Sequence, residues 1–164
     1  MKPAPFTYGR PTSVQAALSM LRSGGEDTKL LAGGQSLVPM LNLRMASVGS
    51  LVDLNGLKEL DYIEKSSKAL KIGAMTRHRG VEQSVDVAEC EPLLVRAAAE
   101  VGHLAIKNRG TVGGSIVHAD PAAEWPLIVT TLNADLVLRS EGKNRTVGAR
   151  EFFIGPLMTI IEPD

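Results

Sequence analysis

The first fifty-odd residues alternate between two hydrophobic rhythms. After Thr12 and Ser13, the apolar positions Val14, Ala17, Leu18 and Leu21 recur at helical spacing until Gly24-Gly25 interrupts them. The pattern predicts a helix capped by one of the two hydroxyl residues and ended by glycine. "TKLLAG" then reads as a short buried strand. Ser36 is placed to cap a second helix, "LVPMLNLRM", whose Pro39 falls in the first turn, where a missing N–H does no harm. "SLVDLN" is a second short strand. Strands alternating with helices over residues 1–55 predict a small α/β lobe with parallel pairing.

Beyond that boundary, over residues 56–164, the rhythm changes. "YIEKS" and "ALKIGAM", separated by a polar turn, predict antiparallel strands, and Thr76 is placed to cap a helix through "RHRGVEQS". "EPLLVRAAAEVG" predicts a helix with Pro92 near its start and Gly102 at its end. Asp120 would cap, and Pro121 open, a helix through "PAAEWPLIVTTLN" with a kink at Pro126. "ADLVLRS" and "KNRTVG" around "EG" predict strand, turn and strand. The fold class expected is α+β in two lobes, the second built on an antiparallel sheet.

Composition changes this picture only by exclusion. With 44% hydrophobic and 22% charged residues in 164, the chain has the make-up of an ordinary globular protein. Equal numbers of basic and acidic residues, 18 each, leave no field to attract nucleic acid or an anionic membrane. No apolar run approaches the ~20 residues of a membrane span, and the N-terminus lacks the apolar core of a signal peptide. Cys90 is the one cysteine, so this chain alone builds no disulfide framework or iron-sulfur site, and a reducing, cytoplasmic setting fits.

What composition does single out is glycine, in pairs at Gly33-Gly34 and Gly113-Gly114, each beside hydroxyl residues. A glycine pair lets the backbone take positive φ and lets a ligand approach the main chain without meeting a Cβ, so that successive N–H groups converge on an anion. A helix following the pair adds unsatisfied N–H groups and partial positive charge. The expected donors are the N–H groups of Gly33, Gly34, Gln35 and Ser36 with the Ser36 hydroxyl. In the second stretch they are those of Thr111, Val112, Gly113, Gly114 and Ser115 with both hydroxyls. Either pair taken singly could equally make a tight turn. Neither stretch fits G-x-x-x-x-G-K-[ST] or a post-strand G-x-G-x-x-G.

Asp120 and Glu124 would lie one helical turn apart, close to the second pair. Asp120 could hydrogen-bond ribose hydroxyls or only cap its helix; for Glu124 capping is the weaker explanation. His78, His103 and His118 lack metal-ligand spacing. Ser115, His118 and Asp120 cannot easily align as nucleophile, base and orienter. Trp125 reads as core or interface. With no convincing acid, base or nucleophile, any catalysis would belong to a cofactor.

At its two glycine stretches, "LAGGQSLVPMLNLR" and "IKNRGTVGGSIVHADPAAEWP", the chain resembles the flavin subunit of the molybdenum hydroxylases. That family includes the medium subunit of aerobic carbon monoxide dehydrogenase and the flavin domain of xanthine dehydrogenase. "PFTYGRPTSVQAAL" and "REFFIGPLMT" fit the same resemblance, which spans essentially the whole chain.

The resemblance implies an FAD-binding fold of the vanillyl-alcohol oxidase and p-cresol methylhydroxylase type, with FAD between two lobes. By position, Ala32 to Ser36 and Thr111 to Ser115 would surround the pyrophosphate. Glu124 would be an acidic contact with Asp120 nearby, and Leu31, Leu37, Val38 and Ile160 would line the ring system. It also implies an iron-sulfur small subunit and a molybdenum-cofactor large subunit as partners, with FAD passing electrons to an external acceptor. No catalytic residue and no metal site is expected in this chain. A non-catalytic flavin- or nucleotide-binding module is the alternative. A stand-alone reductase on the same fold would need a substrate-binding domain that no segment here supplies. Family members continue into a C-terminal domain beyond "FFIGPLMTIIEPD", where this chain ends, so a fragment or processed form is expected.

Overall fold

Strand β3 (Ser50–Asp53) organises the first part of the chain. In the computed structural model, which describes residues 1–162, it lies between β1 (Thr7–Gly9) and β2 (Thr28–Leu31), parallel to both. Successive side chains of a strand point to opposite faces. Accordingly Val52 packs with Ala17 of α1 (Val14–Gly24) and with Leu57, while Leu51 packs with Leu41 of α2 (Leu37–Asn42) and with Val48. A sheet covered on both faces suits parallel pairing, and the near-continuous apolar reading of "SLV" follows from it. Ser13 caps α1 as expected, its hydroxyl accepting from the Ala16 N–H at 3.1 Å, and Gly25 leaves the helix at φ 68°. Strand β1 was invisible in the sequence: at three residues, two of them exposed, it has no apolar alternation to read.

The rest of the chain gathers around a larger apolar core. The antiparallel ribbon β4 (Ile63–Lys65) and β5 (Leu70–Ile72) leads into α3 (His78–Glu82), α4 (Val85–Cys90), α5 (Pro92–Glu100) and α6 (Leu104–Arg109). There follow α7 (Val112–His118), α8 (Glu124–Thr131), the ribbon β6 (Asp135–Ser140) and β7 (Lys143–Gly148), α9 (Ala149–Phe152), and the short ribbon β8 (Phe153–Gly155) and β9 (Met158–Thr159). Val81, Val87, Leu94, Ala98, Trp125 and Phe152 form the centre of this core. Among the described residues the antiparallel strands form separate two-stranded ribbons rather than the single sheet expected.

Four local expectations need correction. Thr76 does not cap a helix: it is buried, its hydroxyl donates to the Tyr62 carbonyl at 2.9 Å and accepts from the Tyr62 N–H, and helix α3 starts after Arg77. Asp120 does not open α8. Its carboxylate accepts from the Ala122 N–H at 2.9 Å in a turn, and α8 begins at Glu124 behind Ala123. Asp120 and Glu124 therefore do not share a helix face, and Pro126, being in the first turn, removes no helical bond.

Trp125 is a core residue, 1% exposed, and its indole N–H donates to Nδ1 of buried His78 at 2.8 Å. This bond requires Nδ1 to be unprotonated. Burial, and secondarily the charge of Arg77, push His78 down from 6.5 to about 4. A histidine neutral when folded but charged when unfolded contributes no loss above the unfolded value, and stability falls as pH drops from there toward the folded one. The unfolding midpoint in urea should therefore drop between pH 7 and pH 4.5, and His78→Asn, which keeps an acceptor but does not titrate, should flatten that drop. An identical acid slope in the variant would show that other groups carry it.

Candidate functional site

Because β1, β2 and β3 are parallel, their carboxyl ends share one edge, which in open parallel sheets is where ligands are held. β2 runs out at Leu31 into the first glycine stretch, and β3 runs out at Asp53 into Asn55. Gly33 is buried, and a Cβ there would lie 2.4 Å from the Arg109 carbonyl oxygen and 2.7 Å from Gly110 Cα. A Cβ on Gly114 would lie 3.4 Å from the Ala32 Cβ. The two stretches, some eighty residues apart, thus touch main chain to main chain. Gly34 has φ +71°, a conformation that glycine takes without a steric penalty. Gly113 fits just as closely against Ala74, whose Cβ would stand 2.6 Å from an added Cβ.

The two stretches differ in what their N–H groups do. Among the described residues, the five consecutive N–H groups of Gly33, Gly34, Gln35, Ser36 and Leu37 make no hydrogen bond. In the second stretch the expectation of free donors is largely overturned. The Val112 N–H donates to Thr76 O, Gly113 to Ala74 O, Gly114 to Thr111 Oγ1 and Ser115 to Thr111 O. The reason is that Gly113-Gly114 lie inside α7, capped by Thr111, rather than in a bend before a helix. Only the Thr111 N–H in that stretch remains without an acceptor among the described residues. Ser36 stands at the start of α2, but its hydroxyl makes no capping bond there.

Side chains that the sequence reading missed hold this junction. The Asn55 amide donates to the Ala32 carbonyl at 2.9 Å and to Asp53 Oδ1 at 2.5 Å. Its oxygen accepts from the Arg77 guanidinium at 2.6 Å, and Arg77 also donates to the Arg109 carbonyl. Tyr8 donates its phenol O–H to the other oxygen of Asp53. Burial raises the Asp53 pKa, but hydrogen bonds from Tyr8 and Asn55 outweigh it and hold the carboxyl below its ordinary value. Burial likewise lowers Arg77. In sequence these are isolated polar residues with no motif spacing, and only the apolar frame of "LVDLNGL" hinted that Asp53 and Asn55 sit at a strand end.

The remaining expected residues are scattered more widely. Gln35 folds back to donate to the Gly33 carbonyl at 3.1 Å. Leu31 and Leu37 pack on the α2 side of the sheet, and Val38 beside them is 38% exposed. Val112 is a core residue. Ser115 is half-buried, as is Glu124, which lies at the first position of α8 with no hydrogen-bond partner among the described residues. Ile160 packs against the large core near Phe152, whose carbonyl accepts its N–H at 3.0 Å. Among the described residues no helix is long and apolar enough to cross a membrane. Nor, among them, do three His, Cys, Asp or Glu side chains gather where they could hold a metal ion.

The arrangement can do one thing chemically: offer a row of main-chain donors to an anion at the carboxyl edge of a parallel sheet. Residues 4–164 match the family described as the FAD binding domain in molybdopterin dehydrogenase. The 6-hydroxypseudooxynicotine dehydrogenase complex subunit alpha of Paenarthrobacter nicotinovorans is 42% identical over 99% of this chain and 55% of its own length. The glyceraldehyde dehydrogenase medium chain of Sulfolobus acidocaldarius is 42% identical over 97% of this chain and 56% of its own. A chain of the solved carbon monoxide dehydrogenase from Hydrogenophaga pseudoflava superposes with a TM-score of 0.97 at 40% identity, covering 99% of this chain and 57% of that one. The chain spans a little over half the length of these relatives, and across that span it belongs to the FAD-binding domain family of the molybdopterin dehydrogenases.

Proposed function

We propose that this chain is the FAD-holding part of the medium subunit of a molybdenum hydroxylase. The carrying observation is that, among the described residues, the run of N–H groups from Gly33 to Leu37 makes no hydrogen bond, and neither does the Thr111 N–H beside it. A diphosphate fits such a row because each phosphate oxygen accepts several bonds and no counter-charge from lysine is needed. Since Gly33 and Gly110 already touch, the diphosphate would lie along the shared edge of the two stretches, not in a gap between them. Ala32 to Ser36 would grip it from one side, with Thr111 and the Ser115 hydroxyl on the other. In this reading Gly113 and Gly114 bring α7 close to Ala74 and Ala32 instead of donating.

The other expected contacts keep their roles within the proposal. Leu31, Leu37, Val38 and Ile160 supply apolar surface to shield the ring system, and Glu124, unpartnered at the head of α8, supplies an acceptor for hydroxyls, with Asp120 nearby. Bound FAD supplies the redox chemistry, and this chain's own part is to hold and orient it. Relatives named for nicotine, caffeine, glyceraldehyde and carbon monoxide share this stretch at about 40% identity. Such different substrates on one conserved span favour a role common to all of them, the passage of electrons, with substrate choice made elsewhere. Electrons would arrive from an iron-sulfur subunit fed by a molybdenum-cofactor subunit, since a chain with Cys90 as its sole cysteine cannot ligate a cluster alone. They would leave to an external acceptor. The division into lobes at residues 1–55 and 56–164 belongs to the same proposal, the Asn55 junction being where both parts meet the ligand.

Two neighbouring glycines should fail in different ways. Gly33→Ala drives a Cβ into the Arg109 carbonyl and should destabilise the chain by about 1–3 kcal/mol, read as a lower urea midpoint with an unchanged slope. Gly34→Val adds a branched side chain at φ +71°, against Val38 and Leu31, where the phosphates should approach. It should weaken FAD binding by more than about tenfold in fluorescence titration, equivalent to about 1.4 kcal/mol. An unmodified chain that leaves FAD free at high micromolar concentration, or a folded Gly34→Val that binds it normally, would sink the proposal.

A further inference from the structure

We infer that Asn55 and Arg77 are positioning residues: a two-residue clamp that fixes the first glycine stretch against the second and so sets the donor row before any ligand arrives. The inference rests on the FAD reading for its purpose, although the clamp itself is visible without it.

The argument begins with saturation. The Asn55 side chain has two N–H donors and one acceptor oxygen at work, and each meets a partner of the opposite kind: the Ala32 carbonyl, the Asp53 carboxylate and the Arg77 guanidinium. The amide cannot be turned round, because its oxygen would then face a carbonyl and a carboxylate while its NH₂ faced a guanidinium. Asp53 is itself held by Tyr8 and by the Asn55 N–H at 2.9 Å, so the amide is anchored from the sheet side. Arg77 then spans the junction, one nitrogen on Asn55 Oδ1 and another on the Arg109 carbonyl. That is the carbonyl against which Gly33 is packed.

The consequence concerns polarity as well as position. The Ala32 and Arg109 carbonyls are tied back by these two side chains, while the N–H groups that follow, Gly33 to Leu37, are left over. A loop whose carbonyls are occupied and whose N–H groups are free is a preformed anion seat. Preforming it lowers the ordering cost of binding. Arg77 contributes geometry more than charge: its planar fork reaches two acceptors that lysine's single ammonium would serve less directionally.

The test uses the 164-residue chain in three measurements. In FAD titrations, Asn55→Ala and Arg77→Lys should each weaken binding by about tenfold or more, as expected for loss of a partly buried bond to a charged group. Asn55→Asp should fare no better than Asn55→Ala, since it keeps the size but loses both donors. At saturating FAD, the two phosphorus-31 resonances of the diphosphate should shift in these variants but not in Arg22→Ala, which breaks only the exposed pair with Glu141. In ligand-free chain, amide exchange should quicken by about tenfold at Val38 and at Val112 and Gly113 together in either variant, because the Val38 amide closes the first stretch on Gly34 while the Val112 and Gly113 amides hold the second to Thr76 and Ala74. Exchange that quickens only beside the substituted residue, or binding and phosphorus shifts equal to the unmodified chain, overturns the clamp. If the unmodified chain binds no FAD at all, the proposed function fails, and the exchange measurement alone still decides whether the clamp exists.

Discussion

The contact on which the rest depends is the one between Gly33 and the Arg109–Gly110 main chain, where no side chain of any size could stand. Two backbones brought this close create a difficulty, because each carries carbonyl and N–H groups that water can no longer reach freely and that cost free energy if left unpaired. The chain meets it by pairing the carbonyls through side chains, Asn55 on Ala32 and Arg77 on Arg109. The N–H groups of Gly33 to Leu37 are not paired in the same way. An apolar core needs no such asymmetry. The anion site proposed above would.

The parallel sheet is what makes this asymmetry available. Its three strands run the same way, so β2 and β3 deliver Ala32 and Asn55 to one edge within hydrogen-bond reach of each other. The sheet is kept in register by Leu51 and Val52 facing opposite apolar clusters, and a slip of one residue would exchange the two. The register that buries Val52 against α1 is therefore the same register that sets the Asn55 amide on the Ala32 carbonyl. Core packing and site geometry are fixed by one alignment.

Much of this frame was legible in the sequence, and the limits of legibility have physical causes. Helix α1, its Ser13 cap and its glycine stop could be read because periodicity, capping and termination agreed locally. The first glycine stretch could be read as a donor row because its glycine, its hydroxyl and the helix after it are contiguous. The second was misread in detail: Gly113-Gly114 look like a loop by propensity, yet Thr111 caps a helix through them, and their smallness serves contact with Ala74 and Ala32. Asp120 was read as a cap one element too early because Asp-Pro is equally good at starting a turn. The Asn55–Arg77 pair was beyond reach, since twenty-two residues separate partners that only the tertiary fold brings together.

The distribution of charge follows from the same logic. A chain with equal acidic and basic counts and no lysine or arginine between Leu30 and Leu43 offers an anion main-chain dipoles rather than side-chain charge. Dipoles fixed by hydrogen-bonded backbone do not have to be reorganised on binding, and they act at short range, where position matters most. The arginine side chain that spans the junction, Arg77, is turned toward a carbonyl and an amide of its own chain, and burial lowers its pKa. Its charge therefore supports the junction of the two glycine stretches. A site built this way, if it holds a diphosphate as proposed, would select for the shape of that group more than for its charge.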